Sequence, residues 1–318
     1  MPRYQPLPPG SLRRYPLSAR RSLVHVDQLA SLDDSLLGAV GAFIRGLPDQ
    51  LAARDLRALI AAIVTAHRSG RPIGFAMGPH LLKTGLQPYL LDLMERGILS
   101  LLATNGATII HDWEMARAGA TSEDVGTAIE DGSFGMCEDT ALGLARAIQR
   151  VSAADGRGLG RAVGEEILEG GGEYPHARHS ILAMAARLDL PVTVHVAIGT
   201  DVLHLHPEVD PALLGVGSHL DFRTLCACVA DLEGGVWLNV GSAVILPEVF
   251  LKAVTLARNL GHPLREVTTA NLDMLQHYRP RQNVTGRPVG GAGINLTGHH
   301  EIMVPLLWAG VRAALVEE

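Results

Sequence analysis

The apolar positions of this chain change their spacing near residue 70, and the change predicts where helices give way to a sheet. Between Leu51 and His67 they recur every three or four residues, which is typical of an amphipathic helix. After Arg71, short continuous apolar runs alternate with helical stretches. Such runs are typical of strands that are covered on both faces. They predict strands over Pro72–Met77, Ile98–Thr104, Pro191–Ile198, Val236–Val240 and Glu266–Asn271.

Helical stretches separate these strands, and strands joined by helices pair in parallel. The fold class is therefore predicted to be α/β, with a Rossmann-like doubly wound parallel sheet and flanking helices. Residues 1–21 are expected to form an extended, proline-broken arm, and residues 22–318 a single α/β domain. Besides Leu51–His67, helices are predicted over Leu86–Arg96, His111–Ala118, Thr121–Glu130, Glu138–Val151, Gly160–Glu169, His176–Leu188, His219–Leu232, Pro247–Leu260 and Glu301–Val316.

Small and polar residues cluster around the predicted carboxyl ends of these strands. Right-handed crossovers place those ends on one edge of the sheet, where open α/β sheets bind ligands. Ordinary strand-to-helix turns use the same residue types, so each segment alone is weak evidence. Five of them in phase predict a ligand crevice. They are Gly78-Pro79-His80, Thr104-Asn105-Gly106-Ala107, Gly199-Thr200-Asp201, Asn239-Val240-Gly241-Ser242-Ala243 and Thr268-Thr269-Ala270-Asn271.

The composition limits the class of protein. Apolar residues make up 47% of the chain and charged residues 19%, which excludes disorder for most of its length. No apolar run approaches the ~20 residues that span a bilayer, so no membrane partner is expected. Three cysteines without a CxxC motif suit a reducing compartment, and a cytoplasmic location is expected. The net charge of −6 argues against a nucleic-acid partner.

Histidines are the chief candidates for acid–base chemistry, because a neutral imidazole can move protons near pH 7. His204, His206 and His219 lie close together in the sequence. If His204 and His206 lie on a strand, they share one face and resemble a metal-binding pair. Because two histidines fill only half of a tetrahedral site, binding of substrate or a structural role in loops stays open beside metal binding.

The segment Asp131–Asp139 contains a further candidate. Ser133 can cap a helix whose first turn carries Glu138 and Asp139, which the helix dipole favours. Alternatively, the segment lies over the crevice and Glu138 binds a cationic amine. The sequence leaves both possibilities open.

The order of these motifs resembles the deoxyhypusine synthase family over roughly residues 70–310. Phe75–Gly85 followed by Leu90–Thr104 is similar to its first strand, helix and second strand, and Met303–Leu307 to its closing helix. The family's Thr-Ala-Gly-Gly turn corresponds to Thr104-Asn105-Gly106-Ala107. Its Gly-Gly-Gly-Val-Val turn corresponds to Gly241-Ser242-Ala243-Val244-Ile245, and its Asn-Thr-Ala strand end to Thr268-Thr269-Ala270.

The resemblance implies a domain that binds NAD without a GxGxxG fingerprint, a homotetramer, and redox chemistry on an amine. Neither GxGxxG after a strand nor a P-loop motif occurs in this chain. Together with the crevice, the resemblance gives one set of expected cofactor-binding residues. They are Gly78, His80, Thr104, Asn105, Gly106, Asp201, Gly241, Ser242, Thr269, Ala270 and His299.

The chain departs from the family at its nucleophile. The family's imine-forming lysine falls on Leu246, and the histidine pair that follows it falls on Pro247 and Glu248. Leucine cannot form an imine, and the chain's lysines are only Lys83 and Lys252. The sequence therefore predicts no lysyl-imine intermediate, and His299 stands where the family has a nucleotide-binding aspartate.

The leading hypothesis is an NAD-binding enzyme, a transferase or oxidoreductase, that acts on a small amine or amino acid without a covalent link to the protein. Its expected acid–base groups are His204, His206 and His219, and its expected amine ligands are Glu138 and Glu248. One alternative is a metal-dependent hydrolase that uses His204, His206, His299 and His300. Another is a ligand-binding homologue without catalysis.

Overall fold

Six parallel strands form the centre of the fold, which is described from a computed structural model over Leu7, Gly10 and residues 12–316. The strands of the described residues are β1 (Ser22–His25), β2 (Ile73–Met77), β3 (Leu101–Asn105), β4 (Ala120–Glu123), β5 (Val192–His195), β6 (Val236–Val240), β7 (Thr268–Asp273) and β8 (Ile294–Thr297). The main sheet has the order β5-β3-β2-β6-β7-β8, and every pair in it is parallel. β1 and β4 form a separate antiparallel pair.

Helices connect the strands and cover the sheet. The first group is α1 (Leu37–Gly46), α2 (Leu51–Arg68), α3 (His80–Lys83), α4 (Gln87–Glu95), α5 (Gly106–Ala118), α6 (Val125–Asp131) and α7 (Glu138–Ile148). The second is α8 (Leu159–Glu169), α9 (Ile181–Arg187), α10 (Pro211–Ala230), α11 (Ile245–Asn259), α12 (Tyr278–Asn283) and α13 (His300–Val316). The predicted fold class, a Rossmann-like α/β protein, is confirmed.

The two faces of the sheet belong to two apolar cores, because successive side chains of a strand point to opposite faces. Phe75 and Met77 of β2 pack in the larger core with residues of α2 and α13. Ala76, between them, packs in the smaller core with residues of α10 and α11. Apolar residues in both registers explain why the strands have continuous apolar sequences.

Trp237 of β6 shows how tightly the smaller core is packed. Its ring stacks on Phe250 of α11 with centroids 4.4 Å apart and planes 8° apart. A Cβ atom on Gly74 of the neighbouring strand would lie 2.6 Å from the Trp237 ring. A glycine is therefore needed at position 74 for the indole to fit against the sheet.

The described part of the N-terminal arm packs against the segment before α7. The Tyr15 backbone N–H donates to the Met136 carbonyl, and the Glu138 N–H donates to the Tyr15 carbonyl. Leu17–Ala19 forms a turn of 3₁₀ helix, so the arm is not extended throughout. Residues 1–6, 8, 9 and 11 of the predicted arm lie outside the described residues. The division into arm and domain stays a prediction.

In the described part of the chain, no helix has the length and apolar character needed to cross a membrane.

Candidate active site

The strand order reverses between β2 and β6, which lie side by side in the middle of the sheet. From β2 the chain runs outward to β3 and β5, and from β6 it runs the other way to β7 and β8. This is the strand order of dinucleotide-binding Rossmann sheets, in which the ligand binds at the point of reversal. Gly78 follows β2 and Gly241 follows β6. We call the space above these two strand ends the switch crevice.

Two glycines keep the backbones of the switch crevice close together. A Cβ atom on Gly78 would lie 3.0 Å from the Gly241 carbonyl oxygen. Gly241 has φ of 66°, a left-handed conformation that glycine adopts without strain. The two glycines therefore allow the strand ends to pack against each other and, at Gly241, against the His300 ring.

Two imidazoles border the switch crevice. The rings of His80, at the start of α3, and His300, at the start of α13, are 5.2 Å apart and edge to face. His300 is 1% exposed, and its Nε2 donates to the Leu272 carbonyl at 3.1 Å. Its buried Nδ1 has no hydrogen-bond partner among the described residues. Burial lowers the pKa of His80, and neighbouring His300 adds to this effect.

A ladder of amides supports the crevice below His300. Asn239 Nδ2 donates to Asn271 Oδ1 at 2.7 Å and to the Ser242 carbonyl at 2.9 Å. Asn271 Nδ2 donates in turn to Gln276 Oε1 at 2.7 Å. Asn239 Oδ1 is buried without a partner in the part of the chain that is described. Asp273 ends β7 and is buried, so a carboxylate stands one strand beyond the glycine of β6.

Helix α11 begins at the switch crevice, and its N-terminus can hold an anion. Its N-cap residue Val244 provides no side-chain cap, and Ser242 Oγ accepts one N–H bond, from Leu246 at 3.3 Å. A phosphate at such a terminus is bound by backbone N–H groups and the helix dipole.

The start of α5 is already occupied by side chains. Asn105 Oδ1 accepts from the Thr108 N–H at 3.2 Å and caps the helix. The Asp201 carboxylate lies on Gly106, where a Cβ atom would be 2.1 Å from Asp201 Oδ2. Thr104 Oγ1 donates to the Met77 carbonyl at 3.0 Å. These groups stabilise the ends of β2 and β3. The Asp201 carboxylate occupies the position at the start of α5 where an anion would otherwise bind.

A cavity of about 160 Å³ lies beside α5 and adjoins the switch crevice. Asn105 Nδ2 is 4.0 Å from where a Cβ atom on Gly78 would lie, and Ala107, two residues later, lines the cavity. We call it the α5 cavity. The polar side chains that line it are Arg20, Lys83, His111, Glu114, Ser122, Glu123, Cys137, Thr140, Thr200, Asp201 and His206.

An ion pair forms one wall of the α5 cavity. Two nitrogens of Arg20 contact the two oxygens of Glu114 at 2.6 and 2.7 Å, and both side chains are buried. Thr121 and Thr140 also donate to this carboxylate, at 2.6 and 2.9 Å. All four donors favour the anion and lower the pKa of Glu114 against the effect of burial. Glu114 is therefore a structural anion.

Two histidines of the cavity have their proton positions fixed by neighbours. His206 Nε2 lies 2.8 Å from the Gly135 carbonyl, which can only accept, so Nε2 carries the proton. The lone pair is then on Nδ1, which is buried and unpartnered among the described residues. His111 Nδ1 lies 2.8 Å from Thr121 Oγ1, whose hydrogen points to Glu114, so its lone pair is on Nε2. Burial lowers the pKa of His111 to about 4 and also lowers that of His206.

The structure gathers part of the predicted site. Gly78, His80, Gly241 and Ser242 meet at the switch crevice, with Thr104, Asn105 and Gly106 at the neighbouring strand end. Asp201 and His206 line the α5 cavity. His204 lies next to them and accepts from the Gly199 N–H at 3.2 Å.

The strand-end placement of Thr269 and Ala270 was wrong. β7 continues to Asp273, so both residues lie inside the strand and are buried. The small and polar residues Thr268-Thr269-Ala270-Asn271 resemble a strand-to-helix turn in sequence, although they lie within β7. Here the amide ladder satisfies Asn271.

The remaining predicted residues do not line the α5 cavity. His299 is exposed, and it is His300 that turns inward. His219 is exposed on α10, and Glu138 is exposed in the first turn of α7. Glu248 is bound by Lys252, Arg279 and Asn283. Leu246 is fully buried in the smaller core.

The histidine pair predicted as a metal motif does not lie on a strand. Val202–Leu205 is a turn of 3₁₀ helix, so His204 and His206 do not share a strand face. Among the described residues, no three histidine, cysteine, aspartate or glutamate side chains are grouped as metal ligands.

Four residues of the site were not predicted in their observed roles: His111, Lys83, Asp273 and His300. His111 lies in the middle of a helix, and its sequence gives no sign of the cavity beside it. His300 is adjacent to the histidine that was chosen. Only the start of α13 determines which of the two faces the sheet.

No protein-family profile and no curated protein matches the chain. Solved structures do match its fold. A protein described as a conserved LOR/SDH protein, from Methanococcus maripaludis S2, has a TM-score of 0.52 and 15% identity. The match covers 84% of this chain and 72% of that one. AgrE, solved in a ternary complex with ornithine and NAD⁺, has a TM-score of 0.54 and 14% identity over 83% of this chain.

This chain spans about a third of AgrE, since the match covers 34% of that protein. A protein described as a deoxyhypusine synthase, from Entamoeba histolytica, matches at a TM-score of 0.48 and 11% identity over 87% of this chain and 96% of that one. The matches with the Methanococcus protein and AgrE, both with TM-scores above 0.5, agree with the Rossmann-like α/β fold. Membership of the deoxyhypusine synthase family stays a prediction.

The residues of the switch crevice fit a dinucleotide. Gly78 and Gly241 let the two strand ends and the His300 ring pack closely, and α11 begins there without a side-chain cap. Asp273 stands at the end of β7, one strand beyond Gly241, and its carboxylate is buried there. His300 Nδ1 and Asn239 Oδ1 supply two unpartnered acceptors.

Proposed function

We propose that the protein is an NAD-dependent enzyme that transfers a hydride directly between the nicotinamide and a small amine or amino acid. One observation carries this proposal: the sheet reverses its order between two strands that are each followed by a glycine, and a small polar cavity adjoins that point. Two solved structures of AgrE, a neighbour of similar fold, are named with L-arginine and with ornithine and NAD⁺, which agrees with the proposal.

In the proposed mechanism, the switch crevice binds the cofactor and the α5 cavity binds the substrate. Gly78, Gly241 and Ser242 would hold the dinucleotide at the start of α11, His80 and His300 would border it, and the Asp273 carboxylate would accept from a ribose hydroxyl. When bound, NAD⁺ supplies a carbon that accepts the hydride. The substrate occupies the α5 cavity, whose volume of about 160 Å³ is below the range for drug-sized ligands.

His206 is the proposed catalytic base. Oxidation of an amine removes a hydride from its carbon and a proton from its nitrogen. Nδ1 of neutral His206 is free to accept that proton, because Nε2 is held by the Gly135 carbonyl. Leu246 is buried in the core, so no amine nucleophile stands at the position predicted from the family resemblance.

Calorimetric titration with NAD⁺ tests the proposed cofactor site. Gly241→Ala places a methyl group 3.0 Å from the His300 ring and should weaken NAD⁺ binding at least tenfold. Gly70→Ala is the matched control, since Gly70 has φ of 63° and nothing within 4 Å of its Cβ position. Both substitutions put alanine in the same unfavourable backbone conformation. This conformational strain should therefore lower both melting temperatures by a similar amount.

Equal NAD⁺ affinity in both variants would place the cofactor elsewhere. No binding of NAD⁺ to the wild-type protein at millimolar concentration would overturn the proposed function.

A further inference from the structure

The charged groups that line the α5 cavity fall into two sets. Arg20 and Glu114 neutralise each other, and Glu123 accepts from the Tyr15 hydroxyl and, at 2.9 Å, from the Gly135 N–H. Lys83 and Asp201 make no ion pair with any other described residue. Glu123 has no ion pair either, but these two hydrogen bonds engage its carboxylate. Outside the ion pair and these hydrogen bonds, the charged groups on the same small cavity are one cation, Lys83, and one anion, Asp201.

The anionic part of the wall suits an ammonium group. Asp201 reaches its position because Gly106 has no side chain, and the dipole of α5 favours its charge. Burial raises the pKa of Asp201 and nearby His204 opposes this, and a bound cation would lower this pKa again. The lone pairs of His206 Nδ1 and His111 Nε2 are further acceptors on the same cavity.

The cationic part of the wall suits a carboxylate. Lys83 is the last residue of α3 and lies within electrostatic range of both His80 and His111, between the switch crevice and the α5 cavity. The chain's other lysine, Lys252, is exposed on α11 and paired with Glu248. Within the described residues, Lys83 is thus the lysine placed to contact a ligand in this cavity.

We infer that the α5 cavity binds a free α-amino acid, with its ammonium on Asp201 and its carboxylate on Lys83. The inference rests on the proposed function and selects one of its two substrate classes. A diamine of the same length would bring its second ammonium to Lys83, where like charges repel. An amino acid satisfies both wall charges at once.

Paired ligands that differ only in the carboxylate test this assignment. Calorimetry compares L-ornithine with putrescine and L-alanine with ethylamine, each with and without saturating NAD⁺. At least one amino acid should bind the wild-type protein tenfold or more tighter than its amine. A hydrogen bond to a charged group contributes about 1.5–3 kcal/mol, which corresponds to about 10- to 150-fold in affinity.

Substitutions of Lys83 and Asp201 distinguish binding of the carboxylate from binding of the ammonium group. Lys83→Met should remove the preference for the amino acid and leave the affinity of the amine equal or higher. Lys252→Met, the matched control, should keep the wild-type preference. Asp201→Asn, similar in shape, should weaken both members of a pair about tenfold or more.

Three results would overturn the inference: equal binding of amine and amino acid, no binding of either amino acid, or an unchanged preference in Lys83→Met. Each can occur while NAD⁺ still binds, in which case the proposed cofactor site survives. Titration of the amino acids without NAD⁺ tests the inference even if the cofactor fails to bind.

Discussion

At the scale of single residues, the sequence predicted which residue types belong to the site. Their contacts and proton positions follow only from the fold. Glycines after strands, such as Gly78 and Gly241, were predictable because a close backbone approach requires them. The choice between His299 and His300 was not, since a shift of one residue turns a side chain from the site to solvent. His206 was predictable as a candidate, but its Nδ1 lone pair follows from a carbonyl 71 residues away.

The protonation of His206 leads to a prediction at this scale. Burial lowers its pKa below the ordinary 6.5, and Arg14 adds to this while the Gly135 carbonyl and Glu208 oppose it. A base with a lowered pKa is active above that pKa and loses activity as the pH falls through it. The acidic limb of kcat should therefore lie below pH 6.5. NADH formation from a bound amino acid measures it.

Removing the imidazole should also remove the acidic limb. His206→Gln should lower kcat by about 10²–10⁴-fold, the usual contribution of a general base, and leave NAD⁺ affinity unchanged. His262→Gln replaces an exposed histidine beyond α11 and serves as the control. Wild-type kcat in His206→Gln would show that another group accepts the proton.

At the scale of elements, periodicity predicted the long helices and the central strands best. β6 was predicted with its observed bounds, and α2 to within one residue. β4 and β8 were missed, because each has only four residues and little buried apolar surface. The shared strand face considered for His204 and His206 is not formed, because Val202–Leu205 is a turn of 3₁₀ helix. Alternating leucine and histidine fit both structures over so few residues.

The arm before β1 supplies an element-scale prediction. Arg20 joins it to α5 through the buried Glu114, with side chains 6% and 3% exposed. Arg20→Met should lower the free energy of unfolding by about 3–5 kcal/mol, because it leaves a buried carboxylate unpaired. Arg187→Met breaks an exposed pair with Glu95 and should cost about 0–1 kcal/mol. Chemical denaturation of both variants measures the difference.

Adding Glu114→Gln to the Arg20→Met variant tests whether the unpaired carboxylate causes the loss of stability. If the unpaired charge is what destabilises Arg20→Met, the double variant should recover part of the loss. A cost below about 1 kcal/mol for Arg20→Met alone would show that the arm does not depend on this pair.

At the scale of the whole molecule, the sequence predicted the class of sheet but not its order. Which strands are neighbours depends on the direction in which each connection crosses the sheet. The local hydrophobic pattern of the sequence does not indicate that direction. The order matters most for function, because the reversal between β2 and β6 defines the crevice. The homotetramer implied by the family resemblance stays a prediction, which sedimentation analysis of the purified protein can check.

The central claim is that a dinucleotide binds where the order of strands reverses. A crystal structure of the protein with NAD⁺ and an amino acid tests it most directly. The account predicts the pyrophosphate at the start of α11 beside Gly78 and Gly241, and the nicotinamide directed toward His206. NAD⁺ bound at any other place, or an amino acid outside the α5 cavity, would contradict it.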